Sequence, residues 1–272
     1  PHVNVEYYGP WIENWFYIHY RINSLHNNVN DIIYLPVFWT DLRRKEINWN
    51  KLLNIIINNY GKSSSFFTVC QHASGLPSEF SNLDIKTFSP NTEGKFCIPL
   101  LKGEHLPYQN YKMNKKRYTL NFLGSTQSSN NYKQIRTKSI DACKNIEGFI
   151  YGYKPYMESC RIIAQSKFTL CPRGFGPTSF RLYEAIMLGS IPIYIWEDMK
   201  CLPYQDEVSW EDFCVIIHLS EINNIPAIVR SIDSVSLSKY QCSAIRFAEH
   251  YLSFSKTCRR IMSVINTVKA SS

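Results

Sequence analysis

Several sequence features that define common protein classes are absent from this chain of 272 residues. No segment approaches the roughly 18 consecutive apolar residues that a membrane-spanning helix requires. There is no Asn-x-Ser/Thr sequon and no Cys-x-x-Cys pair, and the nine cysteines are odd in number. No basic stretch followed by an apolar block stands at its start. We therefore expect no membrane anchor, no disulfide scaffold and no zinc site, and we expect reduced, buried cysteines in a cytoplasmic protein.

Positive charge is in moderate excess, with 30 Lys and Arg against 22 Asp and Glu and a net charge of +8. A dense basic stripe, which is typical of nucleic-acid binding, is missing. The short clusters Arg43-Arg44-Lys45 and Lys115-Lys116-Arg117 are predicted to be solvated surface or loop. The excess of positive charge is compatible with three interpretations: a basic nucleic-acid-binding protein, a protein that binds a membrane surface, or one that binds a small anionic ligand.

Short apolar segments alternate with amphipathic ones along the chain, which predicts parallel sheets covered by helices. We predict two Rossmann-like α/β domains, at residues 1–110 and 111–272, around a polar linker at 102–116, with the final helices able to pack back on the first domain. Strands are predicted at 31–40, 65–70, 84–89, 95–100, 117–123, 149–151, 167–171, 191–196 and 213–219. Helices are predicted at 49–60, 129–145, 156–165 and 179–188, and from about residue 221 onward.

The most informative stretch follows the predicted strand at 167–171. A loop that contains Gly174 and Gly176 leads to Ser179, which opens a helix. Glycines let backbone N–H groups approach a ligand closely, and a helix N-terminus favours negative charge. With Arg173 on the same loop, this pattern predicts a phosphate site.

Arg181 and Glu184 stand three residues apart and therefore share one face of that helix. The arginine could neutralise a diphosphate while the carboxylate accepts hydrogen bonds from ribose hydroxyls. Two alternatives remain open: a surface ion pair beside a simple tight turn, and an NAD(P)-dependent oxidoreductase. The second alternative rests on G-x-G-x-x-S at 174–179 with Glu197 about 20 residues further on, although that fingerprint normally follows the first strand of its domain.

The chain resembles the exostosin-type glycosyltransferases, which form family 47 of the sugar transferases. It is most similar to the short soluble viral members, among which β-xylosyltransferase activity occurs. The resemblance rests on SKFTLCPRG at 166–174, SFR at 179–181, EA at 184–185, GSIPI at 189–193, YLPVFWT at 34–40, FTVCQH at 67–72 and CIPL at 97–100.

This resemblance implies a GT-B architecture, in which two Rossmann-like domains flank a cleft. It implies an inverting enzyme that moves a sugar, with xylose favoured, from a UDP-sugar to a glycan hydroxyl in the cytoplasm, which is the host cytoplasm for a viral protein. No cofactor, metal, nucleic acid or membrane anchor is implied, and the chain contains no Asp-x-Asp metal motif. The donor residues implied or placed beside the loop are Gly124, Ser125, Arg136, Arg173, Gly174, Gly176, Ser179, Arg181 and Glu184, although Arg136 could equally be a surface residue.

An inverting transferase also needs a general base for the acceptor hydroxyl. Gln71-His72-Ala73 follows a predicted strand, where ligands of open α/β sheets bind. The resemblance implies an acidic residue at position 73, so we interpret Ala73 as the replacement of an aspartate base, as an engineered inactivating substitution would produce. His72 is the alternative base.

Aromatic and acidic side chains supply the acceptor candidates. Trp39 and Glu13 are predicted to contact the acceptor in the first domain, and Trp196 and Asp198 in the second. Core packing is the competing interpretation for the aromatic-rich N-terminal segment.

Overall fold

The computed structural model describes residues 11–23, 32–45, 47–102, 115–126 and 132–270. The chain divides into two compact units. The first unit comprises residues 1–104, 202–204 and 253–272, and the second comprises 105–201 and 205–252. The predicted boundary at residue 110 lies outside the described residues, and the last helix belongs to the first unit. Most of the predicted linker lies outside the described residues.

The helices and strands are numbered in chain order. The strands are β1 (Ile33–Tyr34), β2 (Ser65–Val69), β3 (Asp84–Phe88), β4 (Tyr118–Leu123), β5 (Phe149–Gly152), β6 (Ser166–Pro172), β7 (Ile191–Trp196) and β8 (Val215–His218). The helices are α1 (Ile12–Asn23), α2 (Trp39–Arg43), α3 (Trp49–Tyr60), α4 (Tyr132–Cys143), α5 (Tyr156–Ala164), α6 (Phe180–Met187), α7 (Ile225–Ser231), α8 (Ser234–Tyr251) and α9 (Phe254–Ala270).

The first unit contains a parallel sheet in the order β1-β2-β3. Helix α3 has the predicted bounds because both of its ends are specified locally. The side chain of Asn48 accepts a hydrogen bond from the Lys51 N–H at 3.0 Å and caps the N-terminus. Gly61, at φ +83°, ends the helix in a conformation that L-residues rarely adopt.

Two strand predictions in the first unit are wrong. The predicted strand 31–40 shortens to β1, because Pro36 has no N–H to offer a sheet and Trp39 already begins helix α2. The predicted strand 95–100 is instead a 3-10 turn, Gly94–Phe96, followed by a single bridge between Ser89 and Cys97.

The second unit contains a five-stranded parallel sheet in the order β5-β4-β6-β7-β8. Its first strand, β4, lies between its second and third strands, so the order in unit numbering is 2-1-3-4-5. This doubly wound order reverses direction between β4 and β6, and such a switch point opens a crevice at the carboxyl ends of the two strands. The predicted α/β class, with two units that are each built on a parallel sheet, is confirmed.

All nine cysteines are free, and eight of them are buried, as predicted, while Cys242 is exposed. Within the described ranges, no helix combines the length and apolarity that crossing a membrane requires. The cytoplasmic location and the resemblance to viral members stay predictions.

The prediction that the cluster Lys115-Lys116-Arg117 is solvated is wrong for Lys116. Its ammonium donates hydrogen bonds to the carbonyl oxygens of Ala164 at 2.8 Å and Gly189 at 2.6 Å, beside the C-terminal ends of α5 and α6. Burial lowers the pKa of Lys116 to about 8. The residue therefore stabilises the C-terminal ends of two helices.

Candidate active site

Two loops meet at the switch point of the second unit. Gly124 and Ser125 follow β4, and Arg173 and Gly174 follow β6. The two strands are parallel neighbours in the sheet. The sequence predicted both loops as parts of a phosphate site, and the sheet order brings them to the place where open α/β sheets bind ligands.

The loop after β6 closes on itself tightly. The Gly174 N–H donates to the Thr178 carbonyl oxygen at 2.9 Å. A Cβ at position 174 would lie 3.0 Å from that same oxygen, so the close backbone approach favours glycine. Gly176 is buried in the same loop.

Ser179 occupies the position before helix α6 with an extended backbone, but its side chain does not cap the helix. The hydroxyl oxygens of Ser179 and Thr178 are both shielded from solvent and have no hydrogen-bond partner within the described part of the chain. Unpaired buried hydroxyls are costly, and a bound oxyanion is one partner that would satisfy them. Thr178 was missed by the sequence analysis, although a second hydroxyl beside a helix start was a usable signal.

Three arginines converge on the two loops. Arg136, on α4, donates to the carbonyl oxygen of Ser125 at 2.8 Å and to that of Arg173 at 3.4 Å. Arg181, on α6, donates to the carbonyl oxygen of Leu123 at 2.7 Å. Burial lowers the pKa of Arg136, and the nearby charge of Arg181 lowers it further. Arg136 therefore reaches into the site rather than into solvent.

The carboxylates beside these arginines differ in burial. Glu184 is 4% exposed and its Oε2 lies 2.9 Å from Arg181 Nη1, so the surface ion pair, one of the two alternatives, is excluded. Arg173 Nη1 instead lies 3.2 Å from Asp198 and 3.7 Å from Glu197, whose side chains are 67% and 47% exposed. Such solvated pairs contribute little free energy, and a diphosphate could replace them.

Guanidinium, hydroxyl and backbone N–H groups are donors of hydrogen bonds, so this set of side chains suits an anion rather than a metal cation. Within the described ranges, no group of three or more His, Cys, Asp and Glu side chains is arranged to hold a metal ion. Arg136 has no carboxylate partner among the described residues, which leaves the cluster able to accept further negative charge.

In the first unit, Gln71-His72-Ala73 directly follows Cys70 at the carboxyl end of β2, as predicted. The Nδ1 atom of His72 accepts a hydrogen bond from the Ser74 N–H at 3.1 Å. A neutral imidazole that accepts at Nδ1 carries its proton on Nε2 and has no lone pair there to take another. Burial lowers the pKa of His72, and Arg43 and Arg44 lower it further. The geometry thus favours position 73 over His72 as the place of a base.

Two acceptor predictions in the first unit are wrong. Trp39 is fully buried, and its indole N–H donates to Thr68 Oγ1 at 2.8 Å, so its rings belong to the core. Glu13 is 1% exposed and is bonded to Thr40 and Gln71, so it cannot meet a sugar. The sequence could not reveal either outcome, because the partners lie 27 to 58 residues away.

The acceptor candidates of the second unit remain partly accessible. Trp196 packs edge to face against His218, with ring centroids 4.7 Å apart. It also lines a cavity of about 550 Å³ beside β8, together with Lys200, Glu211 and Tyr240. Asp198 is exposed and paired with Arg173.

Parts of the chain are similar in sequence to plant proteins that are named as probable glycosyltransferases. A probable glucuronosyltransferase of Oryza sativa subsp. japonica is 28% identical over 109 residues, which are 40% of this chain and 25% of that protein. The probable beta-1,4-xylosyltransferase IRX10L of Arabidopsis thaliana is 40% identical over 65 residues, 24% of this chain and 15% of that protein. The matches thus span a quarter or less of these relatives' length.

Among solved structures, TarM matches at a TM-score of 0.44 and 13% identity, over 79% of this chain and 46% of that one. The profile of the Exostosin GT47 domain matches residues 38–232, which is most of the chain and includes both loops described above. The chain therefore belongs to the Exostosin GT47 domain family.

Proposed function

We propose that this protein is an inverting glycosyltransferase that moves a sugar from a UDP-sugar to a hydroxyl of a glycan acceptor. The observation that carries the proposal is the convergence of Arg136, Arg173 and Arg181 on the two loops of the switch point. In this proposal the guanidinium groups stabilise the diphosphate that departs as the acceptor attacks, and no metal is required.

Glu184 is proposed to accept hydrogen bonds from the ribose. It lies on α6 beside Arg181, so one helix face would hold both the sugar and the phosphate parts of the nucleotide. Gly124, Ser125, Gly174, Gly176 and Ser179 are proposed to line the phosphates, because small residues allow close backbone approach.

Xylose is the proposed sugar, since IRX10L and IRX10 are named as probable beta-1,4-xylosyltransferases. Other relatives are named as probable glucuronosyltransferases, which makes glucuronate the second candidate. The two sugars differ by a carboxylate, so a donor panel separates them directly.

The base is proposed to act from position 73, which in this chain is Ala73. The expected consequence is that the chain binds the donor but turns it over very slowly. Trp196 and Asp198 are proposed to contact the acceptor, with Trp196 offering an aromatic face to a sugar ring.

The first test is a ligand screen by thermal denaturation with UDP, NAD⁺ and duplex DNA. UDP alone should raise the melting temperature. Protection by NAD⁺ but not by UDP would establish the oxidoreductase alternative, and protection by DNA alone would establish the nucleic-acid alternative.

The second test measures turnover of the Ala73→Asp variant with UDP-xylose, UDP-glucuronate and other UDP-sugars, with xylobiose as the acceptor probe. Turnover should persist in EDTA, and NMR should show an inverted anomeric configuration in the product. Retention of configuration, or complete loss of turnover in EDTA, would refute the corresponding part of the proposal.

A further inference from the structure

Glu13 is a buried carboxylate that the proposed chemistry does not use. It lies in the first turn of α1 and accepts hydrogen bonds from three donors. Its Oε1 accepts from the Gln71 N–H at 2.8 Å and from the Thr40 hydroxyl at 2.7 Å, and its Oε2 accepts from the Thr40 N–H at 3.0 Å. One side chain thereby links the starts of α1 and α2 to the loop after β2.

The side chain of Gln71 also contacts the start of α1. Its Oε1 accepts a hydrogen bond from the Ile12 N–H at 3.1 Å, so the start of α1 and the backbone of Gln71 are joined in both directions. Beyond Gln71, the carbonyl oxygen of His72 accepts from Asn91 Nδ2 and from the Gly75 N–H, both at 2.9 Å. The backbone on either side of position 73 is therefore held in one conformation.

A carboxylate fits this place better than an amide does. The two backbone N–H groups can only donate, and an ionised carboxylate is an acceptor at both oxygens. A glutamine would turn its NH₂ group towards at least one of these donors. Among the described residues, Glu13 has no basic partner, so its burial is not explained by an ion pair.

We infer that Glu13 is a positioning residue, whose carboxylate fixes the backbone of Gln71 and thereby sets the direction of the side chain at position 73. This inference rests on the proposed function, in which position 73 carries the base. Glu13 itself does not touch the acceptor in this proposal, because its side chain is buried.

The ionisation of Glu13 gives the inference a distinctive signature. The pKa of Glu13 is raised to about 7, mainly by burial and to a small extent by the negative charge of Asp41 on α2, while the hydrogen bonds from Thr40 and Gln71 oppose the increase. The other titratable groups that face it are Tyr34 on β1 and Cys70 at the end of β2. Protonation relieves the cost of a buried charge, but it replaces an acceptor oxygen with an O–H group opposite a donor and so weakens the hydrogen bonds that hold the loop.

The test uses the Ala73→Asp chain, with and without Glu13→Gln. We expect Glu13→Gln to lower kcat at least tenfold, to leave the KM for the UDP-sugar unchanged and to abolish an inflection near pH 7 in the kcat profile. An identical inflection in both chains would overturn the inference. Glu13 lies in the first unit, so the dispersion of that unit's ¹⁵N–¹H signals reports whether each variant is folded.

Thr40→Val keeps the test decisive if Glu13→Gln does not fold. It removes a hydrogen bond that lowers the pKa of Glu13, so the inflection should move to higher pH, whereas Thr40→Ser keeps the hydroxyl and should leave the inflection in place. An unmoved inflection in Thr40→Val would contradict the inference.

A readout without turnover separates this inference from the proposed function. In the unmodified chain, the ¹⁵N–¹H signal of Gln71 should titrate near pH 7, and Glu13→Gln should abolish that titration. No turnover in Ala73→Asp together with an intact titration would refute the proposed function alone. Turnover that is independent of Glu13 would refute the positioning role alone.

Discussion

The loop after β2 in the first unit and the loop after β6 in the second both follow the carboxyl end of a parallel strand, yet they bury opposite charges. In the first loop the buried charge is the carboxylate of Glu13, which N–H and O–H donors hold. In the second the charges are guanidinium groups, which backbone carbonyl oxygens hold. Under the proposed function, the first loop would carry the base and the second would hold the diphosphate.

Sheet order distinguishes the two loops as well. The described strands of the first unit run in simple order, whereas those of the second reverse direction between β4 and β6. A crevice at a switch point is the usual place for a nucleotide, because loops from two strands diverge there. Sheet order therefore distinguishes the second loop as the candidate nucleotide site, and its arginines make it suitable for an anion.

The largest expected effect comes from completing the first loop. Ala73→Asp should raise turnover by about 10²–10⁴-fold, which is the usual contribution of a general base. Ala73→Asn has a similar size but cannot take up a proton, so it serves as the matched control and should give no gain. Both variants are compared by their steady-state rates at a saturating concentration of a UDP-sugar. Equal rates for Ala73→Asp and Ala73→Asn would contradict the placement of the base in this loop.

The second loop should respond most strongly to loss of Arg181. Arg181→Met leaves Glu184 buried without its partner and should cost about 3 kcal/mol in the free energy of unfolding. Adding Glu184→Leu should recover most of that stability without recovering UDP binding. Denaturant titration and calorimetry measure the two quantities. A double variant that binds UDP as well as the unmodified chain does would exclude this ion pair from nucleotide binding.

The buried carboxylate of the first loop predicts a pH dependence of stability. Glu13 has a pKa of about 7 in the folded state against an ordinary value of 4.5, so folding takes up a proton between these pH values. The contribution of Glu13 is fully present below pH 4.5 and is lost as pH rises through 7, by about 3 kcal/mol in all. His19 and His72, whose pKa values burial lowers, act in the opposite direction.

Comparison with Glu13→Gln isolates that contribution, because both chains contain the same histidines. The difference in the free energy of unfolding between the two chains should shift in favour of the glutamine variant as pH rises from 4.5 to 8. A difference that is independent of pH would contradict the raised pKa.

Glycine positions should produce the smallest effects. Gly174→Ala places a Cβ 3.0 Å from the Thr178 carbonyl oxygen and should cost about 1–2 kcal/mol in stability as the loop shifts. Gly124→Ala is the matched control, because its Cβ would make an ordinary 3.5 Å contact with the ring of Phe122. It should change the free energy of unfolding by less than about 0.5 kcal/mol. Equal costs would mean that loop closure does not require Gly174.

The sequence predicted the elements whose limits are set locally. Helix α3 and strand β7 have the predicted bounds, because a cap and an uninterrupted apolar run define them. The sequence also located both loops, since each consists of neighbouring residues. It could not predict that Trp39 begins a helix or that Glu13 is buried, because Thr68 and Gln71 enclose those side chains from distant parts of the chain.

Arg136 illustrates the same limit within the second loop. The sequence alone allows two interpretations of Arg136, a surface residue or a donor-binding residue. The carbonyl oxygen of Arg173 that it contacts lies 37 residues away along the chain. Only the parallel pairing of β4 with β6 brings α4 to that loop. Long-range pairing of this kind is a property of the sheet order rather than of any local pattern.

The most direct test of the arginine-lined site is a calorimetric titration of UDP into the unmodified chain and into Arg136→Met. Arg136 has no carboxylate partner among the described residues, so its removal leaves no buried charge unpaired. Lys138 is exposed on the same helix, so Lys138→Met controls for the loss of one positive charge. Charge-assisted hydrogen bonds contribute about 1.5–3 kcal/mol, so Arg136→Met should weaken UDP binding at least tenfold while Lys138→Met leaves it nearly unchanged. Equal UDP affinity in all three chains would contradict the assignment of this site to the diphosphate.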